Sequence, residues 1–279
     1  MMPIEKSNAE QVLFTIVTVT KDNVEGLKAT EASIKAQSLQ DFEWVVIDGL
    51  SQDGTQDHLK EVGADYISEA DHGIYDAMNK GIDHAKGRYT LFLNAGDCFA
   101  HPEVLRKLRV TPEFWPDLIY GDALEQSPTK QGKHLFKAAK SHKHINRGLF
   151  THHQSIFYKT KFLKEMKYNT LYKLAADYDL TLRFLQAHPD AYYVTQPICI
   201  FESGGLSQRQ EKRGRIEQQI IRKKLLGYNW MNNKSIALTQ TMATTIKKRM
   251  PPVYWWLRDH SPKASAHSDT KKNKADKAA

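Results

Sequence analysis

Short apolar runs alternate with amphipathic stretches over roughly the first 120 residues. Leu13 to Val19 (LFTIVTV) is β-branched and apolar almost throughout, the pattern of a strand covered on both faces. The following stretch predicts a helix with Val24, Leu27, Ala32 and Ile34 at core positions. Trp44 to Asp48 (WVVID) predicts a second strand, closed by the turn-rich run Gly49 to Thr55. Ala64 to Ser68 fits a short third strand, Ile74 to Ala85 a helix, and Arg88 to Leu93 (RYTLFL) a fourth, buried strand. Strands alternating with helices predict a mostly parallel α/β sheet, and in such sheets ligands bind at the carboxyl ends of the strands. Beyond residue 145 the pattern is more mixed. Leu174 to Ala187 predicts a helix, Ala191 to Val194 a short strand, and Arg209 to Leu226 and Lys234 to Arg249 two further helices. Pro251-Pro252 stops the second of these.

Composition narrows the class. The chain has 279 residues, more than one core of ~150 residues requires. Hydrophobic residues make up 41% and aromatics 10%, which excludes a wholly disordered chain. No apolar run approaches the ~20 residues needed to span a bilayer. The opening MMPIEKSNAEQ lacks the apolar region of a secretory signal, and Cys98 and Cys199 make no disulfide framework, so a cytoplasmic setting is expected. Forty Lys and Arg against 32 Asp and Glu give a formal charge of +8, which fits nucleic acid, a membrane surface or an anionic small molecule. The excess is local. Up to Gly121 acids outnumber bases, 20 to 11. Bases then gather at Lys130, Lys133, Lys137, Lys140 and Lys143, in RQEKRGRIEQQIIRKK from Arg209, and at Lys247, Lys248, Arg249 and Arg258. The final SPKASAHSDTKKNKADKAA has almost no large apolar side chain and is expected to be a solvated, disordered extension.

The predicted strand ends are unusually polar: Thr18 and Thr20 at the first, Asp48 at the second, Asn94 and Asp97 at the fourth. Asp48 would stand at the lip of the sheet, either accepting hydrogen bonds from a base or ribose or capping the next helix together with Asp53. Asp97 offers a carboxylate to Mg²⁺ or Mn²⁺, hard ions that prefer oxygen, or else caps a helix before His101. His152 and His153 are adjacent, and neighbouring side chains diverge. His134, His142 and His144 fall in the basic stretch and are expected to be solvated.

Taken in order, TIVTVTKDN, VVIDGLSQDGT and SEADHGIYDAMNKGIDHAKGRYTLFLNAGD resemble the family-2 glycosyltransferases with the GT-A fold. DHGIYDAMNKGIDHAKGRYTLFLNAGD looks most like the bacterial subgroup that builds surface polysaccharides. HHQSIFY from His152, AADYDLTLRF from Ala175 and GGLS from Gly204 continue the likeness. The resemblance implies an α/β GT-A fold: a mostly parallel nucleotide-binding sheet flanked by helices, with a C-terminal helical extension. It divides the chain into a catalytic domain over 1–208, a helical extension with an aromatic and basic segment over 209–260, and a disordered basic tail over 261–279.

It also implies a site. Thr18 and Asp48 would lie against nucleobase and ribose, Asp71 and Gly73-Ile74-Tyr75 beside the base, and Asn79 and Lys80 on the diphosphate side, with Thr20 and Asn94 also on the donor. FLNAGD takes the place of the metal-binding acidic motif. Asn94 and Gly96 stand where the family carries acids, leaving Asp97 to hold Mn²⁺ or Mg²⁺ with phosphate oxygens and water. AADYDL resembles the Glu-Asp motif whose Asp is the catalytic base. Ala176 replaces the Glu and Asp177 matches the base; the alternative, Asp179, points the other way on a helix and is spaced to bond Arg183. A base is needed to remove the proton of the attacking hydroxyl, and the family inverts at the anomeric carbon. His153 and Gln154 would line the acceptor side. Gly205 and Ser207 belong to a loop closing over the donor, with Arg209 and Arg213 near phosphate.

The implied partners are a nucleotide-sugar donor, expected to be a UDP-sugar, and a saccharide or lipid-linked saccharide acceptor. MPPVYWWLRDH, with Tyr254, Trp255 and Trp256 between bases, suggests peripheral contact with the inner face of the cytoplasmic membrane. Nucleic acid is not expected, since no base-stacking or recognition-helix motif accompanies the charge. The absent acids at Asn94, Gly96 and Ala176 keep a catalytically impaired GT-A domain as an alternative. A sugar-nucleotide pyrophosphorylase would open with a Gly-rich phosphate loop, where Thr20-Lys21-Asp22-Asn23 stands instead.

Overall fold

A computed structural model describes residues 12–110, 115–126, 134–202 and 210–250. The chain runs β1 (Phe14–Thr20), α1 (Val24–Lys35), β2 (Phe42–Asp48), α2 (Thr55–Glu61), β3 (Asp65–Ser68), α3 (Ile74–His84), β4 (Tyr89–Phe92), β5 (Cys98–Phe99) and α4 (Val104–Val110). It continues through β6 (Leu118–Gln126), β7 (His134–Lys137), β8 (Ile156–Lys159), α5 (Thr160–Met166), α6 (Ala176–Ala187), β9 (Ala191–Phe201), α7 (Glu211–Leu226) and α8 (Trp230–Arg249). Single 3₁₀ turns occupy His142–Arg147 and His153–Ser155.

All strands join one sheet, ordered β3-β2-β1-β4-β8-β6-β9-β5, with β7 added to β6. The first four pair in parallel, as the near-continuous apolar runs of β1, β2 and β4 predict. β8 is antiparallel to β4 and to β6, and β9 returns parallel to β6, so six of the nine strands share one direction. All seven residues of β1 are buried, because α3 covers one face and α1 the other. The α3 helix packs closely: a Cβ on Gly81 would stand 2.3 Å from Val17 Cγ1. In α1, Leu27 and Ile34 are buried as expected, but Ala32 is exposed and Thr30 and Glu31 take the inner face.

The second half departs further from expectation. β9 runs on to Phe201, well past Val194, because Pro197 is absorbed where the β6–β9 register shifts at Asp122. Proline lacks a ladder donor and reads as a break in the sequence, yet a register irregularity accommodates it. The stretch expected to be a solvated basic loop contains β7 and a 3₁₀ turn. His142 there is half-buried, its ring edge-on to Tyr120 at 5.9 Å, while His134 and His144 are exposed. α8 begins at Trp230, ahead of the expected Lys234, because the Asn229 side chain accepts the amide of Asn232 as its cap.

α7 packs on α6, and α8 on α7, around Arg222, which is fully buried. Its Nε donates to Asn233 Oδ1 at 2.8 Å, and its guanidinium lies 6.0 Å from the Tyr178 ring. The expected boundary at 208/209 falls within 203–209, and the expected tail within 251–279, both outside the described residues. Gly205, Ser207, Arg209 and the Tyr254-Trp255-Trp256 run also lie outside them.

Candidate active site

The loops leaving β1, β2 and β4 meet at the carboxyl edge of the sheet and are tied to one another. Asn23 caps α1 by accepting the amide of Gly26, and donates to Ala95 O in the loop after β4. The Asp22 amide donates to Ser51 Oγ, and Asp22 Oδ1 accepts from the amide of Gln52. Asp53 accepts from the amides of Val24 and Thr55, so of the two acids after β2 it is Asp53 that serves helix starts. Three loops distant in sequence thus form one rigid rim.

Asp48 lies inside that rim. It is fully buried, its carboxylate accepting from the Ser51 amide at 3.2 Å and the Ser68 hydroxyl at 2.6 Å. Next to it the missing side chain of Gly49 makes room for Asp71, whose Oδ2 would be 2.4 Å from a Cβ there. Asp71 Oδ1 accepts from the amide of Gly73 at 2.8 Å, and Gly73 takes a φ of +119°, open to glycine at no steric cost. The structure therefore brings Asp48, Asp71 and Gly73 together. Thr20 is buried beside them with its hydroxyl unpartnered, whereas the Thr18 hydroxyl accepts from the Trp44 indole at 2.9 Å.

Two residues expected near the diphosphate are bonded within the chain. Asn79 donates to Tyr168 O at 3.0 Å and accepts from its amide at 2.8 Å, so both ends of its amide clamp backbone. Lys80 is held by Ala70 O at 2.6 Å and Glu69 at 2.9 Å.

The second cluster is built around the 3₁₀ turn His153–Ser155 at the start of β8. Gln154 Nε2 donates to Asp97 Oδ2 at 3.0 Å, and His153 Nδ1 lies 3.7 Å from Asp177 Oδ2. One dipeptide thus bridges an acid from the β4 loop and an acid from the first turn of α6. Asp97 is 6% exposed and does not cap a helix. Burial pushes its carboxyl up to about 6, against the hydrogen bond from Gln154, which favours the ionised form. Burial likewise pushes Asp177 up to about 6 and holds His153 down near 4, so near neutrality the imidazole is uncharged. Asp179, two residues on, is buried and bonded to Arg183 Nε at 2.8 Å.

Asn94 Oδ1, Gln154 Oε1 and His153 Nε2 are buried without a protein partner. Buried polar atoms are rarely left so, and these three leave bonding capacity that a ligand could use. Asp97 with the amide oxygens of Asn94 and Gln154 makes a hard-oxygen donor set suited to Mg²⁺ or Mn²⁺. Among the described residues no cluster of three or more His, Cys, Asp or Glu that could hold a metal ion is found, and Asp97 is the one acid of FLNAGD.

Sequence reasoning missed Ser51 and Ser68, which hold Asp48, and Glu202, whose amide bonds Asp97 and whose carboxylate lies 3.0 Å from where a Cβ of Gly96 would be. It also missed Glu217. This acid from α7 accepts the amides of Lys173, Leu174 and Ala175 just ahead of α6. Its one sequence signal is being one of two acids within a basic run.

Comparison with known proteins bears on this geometry. The model of glycosyl transferase family 2 matches residues 15–171. A PGL/p-HBAD biosynthesis glycosyltransferase of Mycobacterium bovis is 33% identical over 184 residues, covering 61% of this chain and 69% of that protein. A putative teichuronic acid biosynthesis glycosyltransferase, TuaG of Bacillus subtilis, is 28% identical over 109 residues, 36% of this chain and 42% of that one. Among solved structures, S. aureus TarS 1–349 in complex with UDP-GlcNAc aligns with a TM-score of 0.62 at 16% identity, over 80% of this chain and 70% of that one. Glucosyl-3-phosphoglycerate synthase from Mycobacterium tuberculosis, solved with Mn²⁺, UDP and glucosyl-3-phosphoglycerate, aligns at 0.55 and 13% identity, over 75% and 79%. At such identities these two likenesses speak for the fold alone.

Proposed function

Since the chain belongs to glycosyl transferase family 2, is a glycosyltransferase and has the GT-A fold, we propose that it transfers a sugar from a nucleoside diphosphate sugar to a saccharide or lipid-linked saccharide. A UDP-sugar is the donor we favour, supported by the TarS and glucosyl-3-phosphoglycerate synthase structures, which hold UDP-GlcNAc and UDP. The observation that carries the reading is the pair of carboxylates, buried Asp97 and half-buried Asp177, bridged by His153 and Gln154 at the mouth of the sheet.

In this reading the rim around Asp48, Asp71 and Gly73 receives the nucleoside. The buried Asp48 carboxylate is already oriented by Ser51 and Ser68, so it can accept from a ribose or base without reorganising. Asp97, with the amide oxygens of Asn94 and Gln154, would hold a divalent cation. A bound Mn²⁺ or Mg²⁺ supplies charge neutralisation for the departing diphosphate. Asp177 is the base. It takes the proton of the acceptor hydroxyl as that oxygen forms its bond to the anomeric carbon and the bond to diphosphate breaks. A carboxyl near 6 is ionised at neutral pH yet basic enough to share a proton in the transition state. With one base opposite the leaving group, displacement is direct and the anomeric configuration inverts. Asp179 is already paired with Arg183, which supports Asp177 in this role.

The relatives' names, with teichuronic acid and PGL/p-HBAD biosynthesis among them, support a place in surface polysaccharide or glycolipid assembly. A lipid-linked acceptor would be met at the inner face of the cytoplasmic membrane. Trp230, Met231, Leu238 and Met242 are exposed on α8, a helix that has Lys234 and Arg249 and no acid. No helix among the described residues is long and apolar enough to cross a membrane.

A screen of nucleotide sugars for thermal stabilisation, with and without Mn²⁺, tests the reading, since a ligand bound only by the folded chain raises its apparent stability. A shift with one nucleotide series and cleavage of its sugar bond are expected. Binding without turnover would identify an impaired domain, and no shift with any nucleotide sugar would overturn the proposal.

A further inference from the structure

Where the Glu-Asp motif has its acid, this chain has Ala176, buried and without a polar side chain. The helix it opens, α6, has no side-chain cap of its own: its N-cap position is Ala175. The free amides of a helix start need acceptors, and buried ones are costly to leave unpaired. Here the amides of the N-cap Ala175 and of the two residues leading up to it find their acceptor on α7, 42 residues beyond Ala175. Glu217 Oε2 accepts from the amides of Leu174 at 2.8 Å and Ala175 at 3.0 Å, and Oε1 from Lys173 at 3.2 Å. The next two amides, of Ala176 and Asp177, lie against the Tyr75 hydroxyl.

Glu217 is not there to form a salt bridge. It is 9% exposed, and its nearest cation, Arg213, is 4.0 Å away with a side chain 63% exposed. In α7, where Glu211 is the only other acid, the one buried carboxylate points at the backbone that leads into Asp177.

We propose that Glu217 is a positioning residue for the transfer reaction: by holding the Lys173–Ala175 backbone it fixes the first turn of α6 and aims the Asp177 carboxylate, doing from α7 what Ala176 cannot. This rests on Asp177 being the base, as proposed above. It makes the C-terminal helices part of the catalytic apparatus. Asp177 is faced by His153 from the 3₁₀ turn, Tyr75 from α3, Tyr158 from β8, Tyr168 beyond α5 and Glu217 from α7. Of these the Glu217 carboxylate adds to burial in raising Asp177.

The test uses the full chain, a nucleotide sugar that it cleaves, and the variants Glu217→Ala and Glu217→Gln. Misplacing a catalytic group by an ångström costs on the order of 100-fold, so Glu217→Ala is expected to lose about that in kcat while donor KM stays within about twofold. Glu217→Gln keeps one acceptor oxygen for Leu174 and Ala175 and is expected to lose less. Without the neighbouring negative charge Asp177 ionises more easily, so the acid limb of its rate profile should move to lower pH. If the alanine variant does not fold, the glutamine variant alone carries the test. Wild-type kcat with an unmoved acid limb, or a parallel loss of kcat and donor affinity, would overturn the proposal. A wild-type chain that neither binds nor cleaves any nucleotide sugar would instead remove the proposed function, and the role of Glu217 with it.

Discussion

Replacing Asp177 by Asn should make the protein more stable and inactive at once. The carboxyl sits at about 6 in the folded chain against 3.8 for a free Asp side chain, a gap of roughly two pH units. At roughly 1.4 kcal/mol per unit, that gap is worth about 3 kcal/mol. The sign follows from which form the fold prefers. A raised carboxyl pKa means that the folded state binds the proton more tightly than the unfolded state. The associated stability is therefore present below about 3.8, is lost as the pH rises through 6, and is absent at neutral pH. The Asp177 side chain is 16% exposed, so solvent screens little of this. Asn mimics the neutral form and can still accept the Tyr178 amide now bonded to Oδ1 at 2.8 Å. Asp177→Asn should regain up to about 3 kcal/mol at pH 7.5, a Tm increase of roughly 5–10 °C, and nothing at pH 4. Thermal melts of both proteins from pH 4 to pH 8 measure this directly. Sugar transfer should fall by about 10²–10⁴ as the base is lost, with nucleotide affinity unchanged. A variant no more stable at pH 7.5, or one whose advantage does not grow with pH, would refute the burial of a functional charge. Persistent transfer would move the base to Asp179 or elsewhere. Stability given up for a reactive group is a common exchange at catalytic sites.

Further outcomes follow from the same structure. Asp48→Ala should weaken nucleotide binding by about 10-fold or more, as charge-assisted hydrogen bonds are worth about 1.5–3 kcal/mol, and calorimetry with UDP would show it. Chelation with EDTA should depress turnover and added Mn²⁺ restore it. The Mn²⁺-dependent part of nucleotide stabilisation should fade below pH 6, where a proton competes for Asp97, and an Asp97→Asn variant that kept it would remove Asp97 from the metal. Gly87→Ala should destabilise the chain by about 3 kcal/mol, because the new Cβ would lie 2.6 Å from the backbone of Phe14 and Thr15; an unchanged denaturation midpoint would contradict that packing. Anionic liposomes should float the protein at low salt and release it at high salt. Trp230→Asp with Leu238→Asp should abolish flotation, and equal flotation of that variant would exclude the α8 face.

The parallel half of the sheet was readable because its information is local. β1, β4 and the second half of β2 are buried, so each is a short apolar run, and their polar ends announce themselves as Thr20, Asp48, Asn94 and Asp97. The family likeness was equally local, carried by ordered runs of adjacent residues. Strands β6 to β8 and the full length of β9 were not readable. Polar partners such as Asp122 and Ser155 lie within the second half of the sheet, and Pro197 interrupts the apolar pattern that β9 would otherwise show.

The amino-acid order determined which chemistry is present: carboxylates at the strand ends, Asp177 in a motif missing its usual acid, and a positive charge concentrated late in the chain. Only the tertiary structure decided which of those groups meet. Asn79 and Lys80 matched the motif yet are bound to backbone and Glu69. His153 and Gln154, expected at the acceptor, join Asp177 to Asp97. Glu217 lies on a helix that reads as a solvated basic face, but packing of α7 on α6 delivers its carboxylate to the start of the helix that carries Asp177. Sequence pattern reports the environment each residue needs. Contacts between residues forty or more positions apart arise when separate apolar faces close on one another, and no local pattern records them.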